Sequence, residues 1–197
     1  MGVAVIAVVS VGLVVLALVL APGSDDSANS SGSGGSAVPT PSEPALRAAL
    51  HEQFDLPLDA SIDLGPAVPG ILVFHAYVSG QPNSGITGVF DGQFRTDVDE
   101  AVPAVLDALA FGRGETDPVT VAAAVGMLQG NPGTPFVTQF AIDQSGDPTT
   151  MSLPRAITVD GRPAVEFWNM TARRPPWRSQ VVSRADGTYE LVELPPS

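Results

Sequence analysis

From Gly2 to Ala21 every position is apolar or small, and Ser10 is the only polar side chain. A run of that length matches the roughly 20 residues a helix needs to cross the hydrocarbon core of a bilayer. The competing reading is a cleaved signal peptide, with Val19 and Ala21 suited to the −3 and −1 positions. Two features favour the uncleaved anchor: no Lys or Arg precedes the run, and Pro22 would be the first residue after the cut. Residues 1–21 are therefore read as a transmembrane signal-anchor. Asp25 and Asp26 after the run place the C-terminal side outside the cytoplasm.

Residues 22–43 lose the apolar pattern altogether. The stretch is rich in Gly, Ser and Pro with few acids, and it cannot bury enough surface to fold. As a flexible coil it spans roughly 25 Å. Residues 44–197 remain for a single extracytoplasmic domain, long enough to build a core.

Periodicity within that domain alternates between helix and strand. Ser42 is suited to cap a helix that carries Pro44 in its first turn and Ala45, Ala49 and Leu50 on one side, running to about Gln53. The run Ile71–Val78 and the segment Ile86–Phe90 predict a hairpin, followed by a turn at Asp91-Gly92 and a short strand at Gln93–Arg95. Val102, Val105, Leu106 and Leu109 fall at helical spacing, and Gly112 follows as a terminating glycine. Pro103 fixes the start of that helix near Asp99, in order to keep the proline close to the first turn. Asp117 and Pro118 open another helix that ends near Gln129.

From Phe136 onward the pattern predicts strands. Phe136, Thr138, Phe140 and Ile142 alternate; Ala156–Val159 joins Ala164–Thr171 through Asp160-Gly161; Gln180–Ser183 joins Thr188–Leu194 through Asp186-Gly187. The expected class is α+β: an antiparallel β-sheet with two to three helices packed on one face, preceded by the transmembrane helix and the disordered linker.

Charge changes the picture next. The net charge is −12, and all nine cationic residues are arginine. Residues 43–117 carry 12 acids and 3 arginines, whereas residues 118–197 carry 7 acids and 6 arginines. Such a chain has no electrostatic footprint for nucleic acid. The absence of cysteine excludes disulfides, thiolate metal sites and a cysteine nucleophile.

Candidate chemistry is sparse. The nucleophile elbow, phosphate loop, dinucleotide glycine motif and paired-histidine zinc motif are all missing; His51-Glu52 is followed by Asp55 where a second histidine is needed. Asp143, Ser145 and Asp147 begin a calcium-loop spacing, but the glycine comes too early and Pro154 stands where a bidentate Glu belongs. Asp97, Asp99 and Glu100 fit the acidic first turn of a helix better than a metal site. His75, inside the most apolar strand, reads as a half-buried core histidine. The least ordinary segment is Arg173-Arg-Pro-Pro-Trp-Arg178, read as a stiff, exposed, cationic and aromatic connection between strands. Phe167 and Trp168 fall on opposite faces of one strand, so one of them looks away from the core unless helices or another sheet cover both sides.

Anchor, linker and acidic domain together describe a membrane-tethered extracytoplasmic binding or assembly module for a protein partner, leaning away from an enzyme. The expected interaction surface is Arg173, Arg174, Trp177, Arg178 and Trp168, and mutating Trp177 and Arg174 together is expected to abolish capture at a nearly unchanged melting temperature. Residues 2–21 supply the membrane contact, and no cofactor, metal or nucleic acid is expected. Two alternatives stay open: an exported hydrolase built on His75 and a distant carboxylate, or a carrier of a small apolar ligand.

Overall fold

The structure, a computed structural model, describes residues 39–81, 85–114, 116–129, 134–135, 138–144, 151–171 and 174–194. The expected transmembrane helix and most of the linker lie outside the described residues. Among those described, no helix is long and apolar enough to cross a membrane.

Helix α1 (Glu43–Phe54) opens as its sequence requires: the Ala45 amide donates to Ser42 Oγ at 3.3 Å, Pro44 sits in the first turn, and Asp55 closes the helix in the left-handed region. Beside it lies a four-stranded antiparallel sheet in the order β1 (Ser61–Leu64), β2 (Leu72–Tyr77), β3 (Ile86–Phe90), β4 (Phe94–Arg95). β1 was not predicted, being short and split by Asp63. Strand alternation divides the β2 side chains between two cores. Phe74 and Ala76, with Phe90, pack on Leu46 and Leu50 of α1, whereas Val73 and Val89 face the other way. Each fully buried Leu or Phe there contributes about 1.5–3 kcal/mol of transfer free energy.

On that second face lie α2 (Val98–Ala108) and α3 (Pro118–Leu128). α2 opens one residue before Asp99, close to the expected start: Asp97 caps it by accepting the Asp99 amide at 2.8 Å, Pro103 falls in the second turn, and the carbonyl it leaves unpaired belongs to exposed Asp99. The helix ends in a Schellman pair: Phe111 N–H donates to Leu106 at 2.9 Å and Ala110 N–H to Asp107 at 3.0 Å. The left-handed residue is therefore Ala110 (φ 52°), and the expected role of Gly112 as terminator is corrected.

A second antiparallel sheet runs β5 (Thr134–Pro135), β7 (Arg162–Thr171), β8 (Arg174–Ser183), β9 (Tyr189–Leu194), with β6 (Arg155–Val159) also paired to β7. Both predicted Asp-Gly hairpins form, joining β6 to β7 and β8 to β9. The α+β class stands, but the single sheet covered on one face becomes two sheets with helices on both faces of the first. The reason is α3. Val121, Ala122, Ala124, Val125, Gly126 and Leu128 are all buried around its circumference, and it touches β2 and β3 of one sheet and β5, β6 and β7 of the other. A helix apolar all round has to be covered on all sides.

The expected strand over Phe136–Ile142 is also corrected. Beyond β5 the described residues form a short helix, α4 (Gln139–Gln144), in which the Ile142 amide bonds the Thr138 carbonyl at 3.2 Å. Ile142 is buried against Trp168. Asp143 thus lies in a helix, while Ser145 and Asp147 lie outside the described residues.

Candidate functional site

The segment singled out by composition is not a connection. Arg174 to Arg178 belong to β8, and Arg173 lies outside the described residues. The register passes from Asn169↔Trp177 to Thr171↔Arg174 through an irregularity, which places Pro175 and Pro176 at a bulge. A bulge is where a strand tolerates residues without an amide donor. Pro-Pro was therefore misread as the end of pairing.

Alternation along β8 also separates the expected surface. Trp177 is half-buried on the side of Ser179 and Val181, which faces the main core, while Arg178 points to the opposite side with Gln180. Trp168, placed in the expected interaction surface, is 7% exposed beneath Ile142 and Met151, so both faces of its strand are covered. Replacing Trp177 accordingly removes packing as well as surface, and the melting temperature is not expected to stay unchanged.

Arg178 takes part in an ionic network on the outer face of the second sheet. Glu166 is only 4% exposed. Arg155 donates to its Oε1 from Nε at 3.2 Å and Nη2 at 2.7 Å, Gln180 Nε2 donates to Oε2 at 2.9 Å, and Arg178 Nη1 stands 3.7 Å away. Burial is the largest single influence on the Glu166 carboxyl and opposes ionisation. The bonds from Gln180 and Arg155 and the charges of Arg178 and Arg155 together outweigh it and hold the group below the usual carboxylate range. A carboxylate so saturated with donors is a cross-strand tie and not a proton carrier.

His75 occupies the middle of a polar row on the first sheet, with Asp63 opposite it on β1 and Thr87 opposite on β3. Its Nδ1 lies 2.8 Å from Thr87 Oγ1, and its ring stacks on Tyr77 at 5.3 Å. Gly85 closes over the imidazole so tightly that a Cβ there would sit 2.6 Å from Cε1. Burial lowers the pKa of His75 below its ordinary 6.5, against the opposing charge of Asp63. Carboxylate, imidazole and hydroxyl are thus aligned, but neither groove described below borders them.

The larger groove, about 560 Å³, lies between the α2–α3 connection and the β6–β7 hairpin. Phe111, Ile157, Ala164 and Val165 supply apolar walls, and Gly114 leaves open space where a side chain would stand. Among the described lining residues Asp117 is the charged one, and it is committed to capping α3: Thr120 Oγ1 donates to it at 2.7 Å, the Thr120 and Val119 amides at 2.9 and 3.3 Å, and these bonds depress its pKa. The sequence gives no sign of this groove, because a loop and a distant hairpin create it jointly. A second groove, about 450 Å³, runs between α1 and the β3–β4 turn, lined by Ala49, Glu52, Gln53, Phe90, Gly92 and Phe94.

Asp97 is the N-cap of α2, as expected of a structural acid. Among the described residues no group of three or more His, Asp or Glu is arranged to hold a metal ion. No protein family, curated protein or solved structure is matched by this chain.

Proposed function

We propose that the chain is a membrane-tethered, extracytoplasmic binding module that takes an apolar segment of a partner protein into the groove between the α2–α3 connection and the β6–β7 hairpin. The observation that carries this reading is the groove itself. Its volume falls within the range of ordinary binding sites, Phe111, Ile157, Ala164 and Val165 give it apolar walls, and the charged residue among its described lining residues, Asp117, is already saturated by helix capping. The apolar run 2–21 supports the tether.

A photo-reactive residue placed at position 114 or 157 of the full-length chain, in its native membrane, is expected to trap one discrete partner, and one at Asp160 in the neighbouring turn is not. Gly114→Trp, which fills open space, is expected to remove the adduct from position 157 without lowering the melting temperature. Equal labelling from all three positions would sink the proposal.

The alternative of an exported hydrolase draws its support from the Asp63, His75, Thr87 row. Against it stands the imidazole's packing under Gly85, and neither of the two grooves among the described residues borders it. If Thr87→Val, which preserves shape, abolishes a hydrolytic activity of the full-length chain, the binding reading gives way to this one.

A further inference from the structure

The geometry points to a separate docking site for a basic protein segment in the groove between α1 and the β3–β4 turn, where an arginine or lysine side chain lays its stem on Phe90 and Phe94 and its cationic head against Glu52. This groove shares no lining residue with the larger one, so the inference stands or falls on its own.

Three features select a cation. The floor is aromatic: Phe94 lies 4.8 Å from Phe90, 5.1 Å from Phe54 and 5.8 Å from Phe74, so an aromatic cluster backs the groove. Basic side chains bury their methylene stems on such surfaces while the charge stays at the rim, and an aromatic face adds attraction for the cation. Glu52 stands at that rim, exposed and in no hydrogen bond or ion pair among the described residues.

The charge of the segment that builds the groove is also predominantly acidic. Residues 43–117 hold 12 acids against 3 arginines, and all three arginines are engaged by their own neighbours: Arg47 by Glu43 at 2.9 Å, Arg95 by Asp91 at 2.7 Å and Arg113 by Asp107 at 3.3 Å. Among the described residues of 43–117, no arginine is therefore left to answer Glu52. An acidic occupant would be repelled, and a purely apolar one would leave the carboxylate facing it without a partner.

The test is a titration of the full-length chain with a hexa-arginine peptide at low salt, read by calorimetry and by backbone amide shifts. Binding is expected to move the amides of Ala49, Glu52, Gly92 and Phe94. Glu52→Gln is expected to weaken it about fivefold, the effect of one exposed ion pair, and Ala49→Leu, which fills the groove while keeping its charge, to weaken it by about tenfold or more. Asp160→Asn in the β6–β7 turn makes the same charge change elsewhere and is expected to leave affinity within about twofold. Equal loss with Glu52→Gln and Asp160→Asn would overturn the inference, because bulk charge would then explain the binding. So would tight binding by Ala49→Leu, equal binding of a hexa-citrulline peptide, or no binding at all. Should Ala49→Leu fail to fold by circular dichroism, the comparison of Glu52→Gln with Asp160→Asn and the citrulline peptide decides.

Discussion

Trp168 and His75 show how a single side chain is read differently once its neighbours are known. Trp168 sits on the outer face of its sheet, yet it is 7% exposed because Ile142 and Met151 cover it. Trp168→Ala is therefore expected to cost about 3–5 kcal/mol in urea denaturation, an outcome that separates a packing role from a surface role, since a surface tryptophan would cost little. His75 has its pKa lowered below 6.5 by burial. The neutral imidazole is the form the fold favours, so the unfolded chain binds the proton more readily. Stability is then fully present above pH 6.5 and declines as pH falls through that value and through the lower folded pKa. His75→Gln, which retains an amide for Thr87 but does not titrate, is expected to flatten the pH dependence of the melting temperature just below 6.5. An unchanged slope in that variant would assign the pH dependence to other groups.

At the scale of elements, local rules succeeded wherever a helix or hairpin is specified by its own ends. Ser42 and Asp117 cap the helices they were expected to cap, and the Asp-Gly turns join the strands they were expected to join. They failed where tertiary contact decides. The alternation at Phe136–Ile142 suggests a strand, but Ile142 is recruited onto Trp168 by a helical turn. Pro175 and Pro176 read as a break in pairing, but a bulge admits them to β8. Neither groove was legible, since each is the gap between elements far apart in the chain. The end of α2 offers a sharp test of what local rules require. Ala110 occupies the left-handed position of a Schellman cap at φ 52°, where glycine carries no penalty. Ala110→Gly is expected to stabilise the protein by about 0.5–1 kcal/mol, read as a higher urea midpoint with an unchanged slope. Destabilisation would mean that the Ala110 methyl contributes packing the cap geometry does not reveal.

Over the whole molecule, the decisive element is α3, because its surroundings belong to both sheets. Val73 and Val89 come from one side, Val165, Phe167 and Val181 from the other, and α2 adds Val105 and Leu106 to the same core. The first sheet also has its own contacts with α1 through Leu46, Leu50 and Phe74, so two independently melting halves are conceivable from the topology. The shared helix argues for one transition, since neither sheet covers its inner face without it. Val125, fully buried in α3, tests this. Val125→Ala removes two methyl groups and leaves a cavity, at a cost of about 2 kcal/mol. In native-state hydrogen exchange of the full-length chain, that loss is expected to appear equally in β2–β3 and in β7–β8, because a single opening event exposes both. If β7–β8 exchanges faster while β2–β3 keeps its protection, the packing of α1 on the first sheet is enough to hold that half folded, and the protein opens as two units instead of one.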